Sequence, residues 1–93
     1  LQVVDSYAAP AGEFAHRAVL GLTWDGERLW VLVDDVATAL DPTGQPVRRI
    51  ALPSNDFQVT WYGWRGLAWD GRYLWAAHTE ADLVCRVDPL AQP

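Results

Sequence analysis

The 93-residue chain has one cysteine, no lysine and no apolar run long enough to span a bilayer as a helix. A single cysteine, Cys85, excludes an internal disulfide framework, and its apolar surroundings indicate a small buried hydrophobic residue. All basic residues are arginine, and the excess of acids gives a formal charge of −5. A negative chain lacks the basic face that nucleic-acid binding needs. We therefore expect one small domain that binds neither nucleic acid nor membrane, and nothing in the sequence assigns a compartment.

The sequence contains an internal repeat. The segment GLTWDGERLW, which begins at Gly21, matches GLAWDGRYLW, which begins at Gly66, at a spacing of 45 residues. The segments ALDP (39–42) and RVDP (86–89) match at a spacing of 47 residues, and VDSYAAP (4–10) aligns with VRRIALP (47–53). Residues 1–93 therefore form one unit of two repeats, 1–45 and 46–93.

Short apolar segments separated by turn residues predict an all-β chain, since no segment has a helical period. The segments are apolar on both faces, which predicts burial on both sides. Strands are expected near 18–24, 28–33, 36–41, 46–52, 65–69, 73–78 and 83–88, with a further strand at 3–8.

The breaks between these segments have the composition of tight turns. Asp25-Gly26 and Asp70-Gly71 suit hairpins that require a positive φ. The segment from Asp41 to Gly44 suits a type I turn with a glycine exit. We interpret Asp25, Asp70, Asp41 and Asp88 as residues that form turns, not as acids with a role in chemistry.

Four strands per 45-residue repeat describe a blade of a β-propeller. The motif GLxWDGxxLW followed by hxxhDPxxG (h, apolar) is complete in repeat 1, and repeat 2 departs from it with DPLAQ at its end. These repeats resemble blades of the bacterial NHL, YVTN and glutamine-cyclotransferase-like propellers. The resemblance implies a β-propeller with two four-stranded blades per chain. It does not select a function, because this architecture carries many activities.

Four of the six tryptophans recur in both repeats, Trp24 with Trp69 and Trp30 with Trp75. A buried aromatic side chain removes about 150–250 Å² from water and can dominate a packing contact. We therefore predict that these four side chains pack one blade against the next.

The order of the strands implies an assembly. The GLxW strand resembles the innermost strand of a blade, so that 46–52 becomes the outer strand of the first blade and the second blade lacks one. The spare strand, residues 3–8, cannot reach its own second blade, and an unpaired edge invites pairing. We expect a ring in which residues 3–8 complete the blade of a neighbouring copy. A six-bladed homotrimer is favoured, an eight-bladed homotetramer is possible, and a fragment of a longer propeller is the remaining alternative.

The aromatic residues of the WYGW segment have no counterpart in repeat 1. Trp61, Tyr62, Trp64 and Arg65 are the candidate ligand-binding residues, in a connection that is longer than its equivalent. Exposed aromatic rings beside a planar cation suit a small molecule, a sugar ring or a peptide side chain. The alternative is that these rings fill the space over the second blade or seal a neighbouring subunit.

The chain offers few residues for catalysis or metal binding. Ser6 and Ser54 lie by strand ends without a nucleophile-elbow motif, and a pair of Cys85 and His78 would fall within apolar strands. His16 and His78 lack the spacing of a zinc site. We therefore assign no catalytic residue, metal ligand or cofactor.

The turns between the second and third strands contain four acids, Asp34, Asp35, Glu80 and Asp82. They could surround a calcium ion, as in some propeller lactonases, but a solvated acidic rim is favoured because few other oxygen ligands are near. The preferred function is a non-enzymatic, self-assembling scaffold or binding module, with any ligand contact at the loops of the channel mouth. The alternative is a hydrolase or lyase built at the channel, as in NHL- and lactonase-like propellers.

Overall fold

The computed structural model describes residues 2–6, 19–52 and 63–90. These stretches contain no α-helix and form β1 (Val19–Trp24), β2 (Leu29–Val33), β3 (Val36–Leu40), β4 (Pro46–Ala51), β5 (Trp64–Trp69), β6 (Leu74–His78) and β7 (Leu83–Val87). Sheet 1 consists of β1, β2, β3 and β4, each paired antiparallel with the next in chain order. Sheet 2 consists of β5, β6 and β7, paired in the same way. The expected all-β fold is confirmed as two antiparallel sheets. In the same stretches, no helix is long and apolar enough to cross a membrane.

The strands expected between residues 18 and 88 are confirmed, each with its ends within one residue of the prediction. The hairpin turns supply the reason. Gly26 and Gly71 adopt φ angles of 99° and 106°, which L side chains rarely adopt. The N–H groups of Asp25 and Asp70 close the two turns by donating to carbonyls three residues later, at 3.0 and 3.1 Å.

The aspartate of each hairpin also binds the tryptophan that follows it. In the first hairpin, Oδ1 of Asp25 accepts two backbone N–H groups at 2.7 and 2.8 Å, and Oδ2 accepts Nε1–H of Trp30 at 2.7 Å. Asp70 makes the same three bonds, and its bond from Trp75 measures 2.6 Å. The repeated WDGxxLW motif is therefore one local structure, which we call the Asp–Trp clamp.

The turn after β3 is built on Asp41, as predicted. Oδ1 of this residue accepts the N–H of Thr43 at 2.9 Å, its hydroxyl at 2.7 Å, and the N–H of Gln45 at 2.9 Å. Gly44 provides the exit from the turn with a φ of 88°. The equivalent Asp88 accepts one such backbone bond at 3.0 Å. The predicted turn-forming role of both aspartates is therefore confirmed.

The two sheets pack through unlike faces. We name the faces by the residues that begin the second strand: the tryptophan face carries Trp30 in sheet 1 and Trp75 in sheet 2, and the leucine face carries Leu29 and Leu74. Side chains alternate between these faces along each strand. The tryptophan face of sheet 1 covers the leucine face of sheet 2, and their shared core contains Trp30, Ala37, Ala39 and Ile50 with Leu67, Trp69, Leu74 and Val87.

The first strands of the two sheets, β1 and β5, lie side by side. Backbone contact between the sheets is concentrated where β1 meets β5. A Cβ atom at Gly21 would lie 2.8 Å from Cα of Gly66 and 2.9 Å from N of Leu67. Gly21 and Gly66 are repeat equivalents, so sheet 2 continues the stack in the same orientation and register as sheet 1. The absence of a side chain at Gly21 is what allows this approach.

Burial is greatest in the middle of sheet 1. All residues of β3 and most of β2 are buried on both faces, as predicted for these strands. A second cluster joins Leu32 and Leu52 to Trp64 and Ala76 across the stack. Strands β5 and β7, in contrast, alternate between half-buried and exposed residues along most of their length. One face of sheet 2 is therefore open to solvent.

Candidate functional site

The open face of sheet 2 is its tryptophan face. Trp75 and Ala77 are half-buried there, Val84 is 67% exposed, and Arg86 is exposed. Trp75, Ala77 and Val84 border, together with Ala68, a shallow, mostly apolar depression. Their equivalents on sheet 1 are all buried beneath sheet 2: Trp30, Leu32, Ala37 and Ala39. The same face is therefore covered in one sheet and uncovered in the other.

The leucine face of sheet 1 is also partly uncovered, at β1. Leu22 and Trp24 are 56% and 60% exposed, whereas their equivalents Leu67 and Trp69 are half-buried against sheet 1. At this edge a pocket is lined by Trp24, Glu27, Leu29, Leu40, Asp41 and Pro42. Of the repeated tryptophans, Trp30 and Trp69 pack between the two sheets, whereas Trp24 and Trp75 lie on outward faces.

The outer edge of sheet 2, formed by β7, is the third feature of this surface. Sheet 1 has a fourth strand, β4, paired along β3, whereas β7 is the last strand of sheet 2 among the described residues. Residues 2–6 belong to no strand, and Val3 and Val4 are 74% and 87% exposed. The predicted strand at 3–8 is not formed within this chain over residues 3–6, and residues 7–8 lie outside the described residues.

Trp64 is buried, so the exposure expected for its ring is wrong. Its side chain is 0% exposed and packs with Leu32 and Ala76 between the sheets. The indole and the ring of His78 form a T-shaped contact, with 5.0 Å between the ring centres and 90° between the ring planes. This position fits the alternative interpretation, in which the ring fills space over the second blade. Trp64 is the first residue of β5 and is followed by the charged Arg65, so the residues next to it in sequence carry no signal for its burial.

Gly63 packs directly against His78. A Cβ atom at Gly63 would lie 2.2 Å from the His78 ring, which is 1% exposed. Nδ1 of His78 accepts the N–H of Ala81 at 3.0 Å, and the carbonyl of Gly63 accepts the N–H of Thr79 at 2.9 Å. These contacts join the end of the WYGW segment to the turn after β6. The structural role of His78 was missed by sequence reasoning, which considered this residue only for chemistry.

Arg65 is exposed at the edge of the open tryptophan face, and its Nη1 donates to the carbonyl of Trp64 at 2.8 Å. Trp61 and Tyr62 lie outside the described residues. The structure therefore separates Arg65, at the surface, from Trp64, in the core. The ligand-binding role of Trp61, Tyr62, Trp64 and Arg65 stays a prediction.

The four acids of the β2–β3 and β6–β7 turns do not form one solvated rim. Asp34 and Asp35 are buried, at 5% and 3% exposed, whereas Glu80 and Asp82 are exposed. The solvated rim was therefore wrong for the first turn. Oδ1 of Asp35 is buried and has no hydrogen-bond partner in the part of the chain that the structure describes, while the backbone carbonyl of Asp35 accepts the N–H of Leu52 at 2.7 Å. Over residues 2–6, 19–52 and 63–90, no group of three metal-ligating side chains comes together.

Neither a family model, a curated protein nor a solved structure matches this chain. Its own geometry is therefore the basis for assigning a function. That geometry concentrates exposed apolar area on two unlike faces and one strand edge. Surfaces of this kind bind other protein surfaces.

Proposed function

We propose that this chain is the subunit of a self-assembling β-propeller, a non-enzymatic scaffold whose end loops carry any ligand contact. In this proposal each chain contributes two blades, sheet 1 and sheet 2. Copies stack head to tail, with the open tryptophan face of one against the leucine face of sheet 1 of the next, which is exposed at β1. Three copies close a six-bladed ring, and four copies are the alternative.

The stacking of unlike faces is the observation that carries the proposal. The two sheets of one chain already form the contact that the ring repeats, because Trp30 covers Trp69 and Leu67. The open Trp75 corresponds to Trp30, and the exposed Trp24 corresponds to Trp69. A contact between unlike faces leaves one face of each end copy unoccupied, so further copies can add until the assembly closes into a ring.

The outer edge of sheet 2 supports the same arrangement. Residues 3–8 align with residues 46–51, which form β4 beside β3 in sheet 1. Placed beside β7 of a neighbouring copy, residues 3–8 would give sheet 2 its fourth strand. Such pairing would satisfy the backbone groups of an edge and cover the exposed Val3 and Val4.

Mass determination tests the assembly. We expect light scattering at low micromolar concentration to find a species of three times the 10.4 kDa of one chain. Deletion of residues 1–8 should reduce it to smaller species, because sheet 2 then has no outer strand. A stable species of 10.4 kDa for the full chain would contradict the proposal.

A disulfide tests the strand exchange directly. In sheet 1, Thr38 lies opposite Arg49, and the corresponding positions are Cys85 on β7 and Ser6 in the N-terminal segment. Directly opposed residues have Cβ atoms about 4.5–5.5 Å apart, close to the range that a disulfide needs. Oxidised Ser6→Cys should therefore form covalent links between chains through Cys85.

Two matched variants control this experiment. Asp5→Cys places the thiol on the opposite face of the same segment and should form few links. Ser6→Cys with Cys85→Ser removes the native partner and should form none. Equal linking by Ser6→Cys and Asp5→Cys would show that the segment does not pair with β7 in this register.

A further inference from the structure

We propose that Arg86 of one copy forms an ion pair with Glu27 of the next copy, and that this pair selects the contact between copies over other face pairings. The inference rests on the proposed function, because it assigns the partner of the open tryptophan face as a second copy of this chain. It also names the charges by which the two faces recognise each other.

The contact within one chain provides the template. Ala39 lies on the tryptophan face of sheet 1 beside Arg48 of β4, since the two are paired across β3 and β4. Nη2 of Arg48 donates across the stack to the carbonyl of Pro89, in the turn after β7. A basic side chain at this end of the tryptophan face therefore reaches the turn after the third strand of the sheet beneath.

Two other positions of these faces differ in charge between the two sheets. Arg86 replaces Ala39 on the tryptophan face, and Glu27 stands where sheet 2 has Arg72. Pro42, the equivalent of Pro89, lines the same pocket as Glu27. Within the chain, Ala39 packs with Trp69, Leu74 and Val87, whose equivalents Trp24, Leu29 and Leu40 line the pocket that contains Glu27. A second copy docked in the same way therefore brings Arg86, the equivalent of Ala39, to that pocket.

The surroundings of both groups favour a pair. The guanidinium of Arg86 lies 4.7 Å from the ring centre of Tyr73 and 5.8 Å from that of Trp75. These rings keep the cation on the tryptophan face. Glu27 shares its pocket with Trp24 and Leu29, so docking would remove water from around the carboxylate and strengthen its attraction to a cation.

The same charges disfavour the wrong contact. In a wrong contact, the open tryptophan face of one copy would cover the leucine face of sheet 2 in place of sheet 1. Arg86 would then take the place of Ala39, and the hairpin of the covered sheet would carry Arg72 where sheet 1 has Glu27. Arg86 and Arg72 would then lie at the same end of the contact, and like charges brought together at an interface disfavour it. The chain has Ala39 and Arg72 at the positions that Arg86 and Glu27 would occupy in the contact between copies, and only the second combination brings opposite charges together.

Charge reversal tests the pair in the full chain. Arg86→Glu and Glu27→Arg should each raise the concentration for half-assembly by at least about tenfold, because each places like charges together. The double variant with both changes should recover most of the wild-type assembly. Glu80→Arg is the matched control: it makes the same charge change at an exposed residue in the turn after β6 and should assemble normally.

Sedimentation over a range of salt concentrations supplies the second measurement, with circular dichroism to show that each variant is folded. Assembly of the wild type and of the double reversal should weaken with added salt more than that of an Arg86→Ala, Glu27→Ala double variant. Normal assembly of both single reversals, or no recovery in the double reversal, would overturn the ion pair while leaving the ring in place. A monomeric wild type would overturn the proposed function, and this inference with it.

Discussion

Sheet 1 and sheet 2 contain the same motif, but they hold it in different surroundings. The clamp of Trp30 lies beneath a second sheet, whereas the clamp of Trp75 faces solvent beside Arg86. Trp69 is covered by sheet 1, and its equivalent Trp24 is 60% exposed. The comparison teaches that a repeat defines the conformation of its residues, while burial is defined by what lies next to the repeat.

The comparison also separates two sources of stability. The clamp bonds are nearly identical in the two sheets, at 2.7 and 2.6 Å, because they depend only on residues within the hairpin. The burial of apolar area depends on the neighbouring sheet and is larger for Trp30. Substitutions at equivalent positions can therefore separate the contribution of packing to stability from the contribution of the hairpin hydrogen bonds.

The largest effect is expected at the two clamped tryptophans. Trp30→Ala should lower the free energy of unfolding by about 3–5 kcal/mol, as truncation of a core aromatic does. Trp75→Ala should lower it by only about 1 kcal/mol, because it removes a hydrogen bond and a partly exposed stacking contact. Urea denaturation of dilute protein measures both. Equal losses would mean that the open face of sheet 2 is covered within the chain.

A smaller effect is expected at the two glycines that meet between the sheets. Gly66 has a φ of 74° with open space where a Cβ would lie, whereas a Cβ at Gly21 would collide with backbone atoms. Gly66→Asn should be tolerated at a cost of no more than about 1 kcal/mol, because asparagine adopts this conformation readily. Gly21→Asn should cost about 1–3 kcal/mol through overpacking.

Thermal and urea unfolding of the two asparagine variants make this comparison, with Gly66→Val as a control. Valine is β-branched and disfavours a positive φ, so Gly66→Val should lose more stability than Gly66→Asn. If Gly21→Asn were as stable as Gly66→Asn, the close approach of β1 and β5 would not constrain the stack.

The smallest effect is expected from titration of the clamps. Partial burial raises the pKa of Asp25, but backbone N–H donors and the Trp30 indole outweigh it, and the pKa lies below the ordinary 3.8. The N–H of Tyr73, followed by the Trp75 indole, lowers the pKa of Asp70 in the same way. The stability from these carboxylates is complete above pH 3.8 and is lost as the pH falls below that value toward the folded-state pKa.

The variant with Asp25→Asn and Asp70→Asn removes this proton linkage, because asparagine does not titrate. Its free energy of unfolding should fall less steeply than that of the wild type below about pH 4. Denaturant unfolding at a series of acidic pH values measures the two slopes. Parallel slopes would show that other carboxylates dominate acid unfolding.

The strands and turns could be predicted because their causes are local. Asp-Gly pairs at 25–26 and 70–71 need a positive φ, and short apolar segments on either side pair as hairpins. The clamp itself was missed, since the sequence shows a recurring Asp and a recurring Trp but not that one binds the other. The spacing of five residues in both repeats was the available signal.

Burial could be predicted only in part, because it depends on contacts distant in sequence. Trp64 lies in a segment that looked like an exposed loop, yet it is the first residue of β5 and sits beneath Leu32. Asp34 and Asp35 occupy a turn, a place where acids are normally solvated, and are nevertheless buried. In both cases the local pattern led to a wrong prediction, because burial depends on residues that are distant in sequence.

The meeting of Gly21 with its own equivalent, Gly66, makes the stack directional. One rigid-body step, without reversal, generates the second sheet from the first, so any longer stack has two chemically different ends. In an open assembly these ends would grow independently, as the ends of a polar filament do. A subunit altered on one face alone would then join at one end and prevent further growth there, while the other end continued to accept copies.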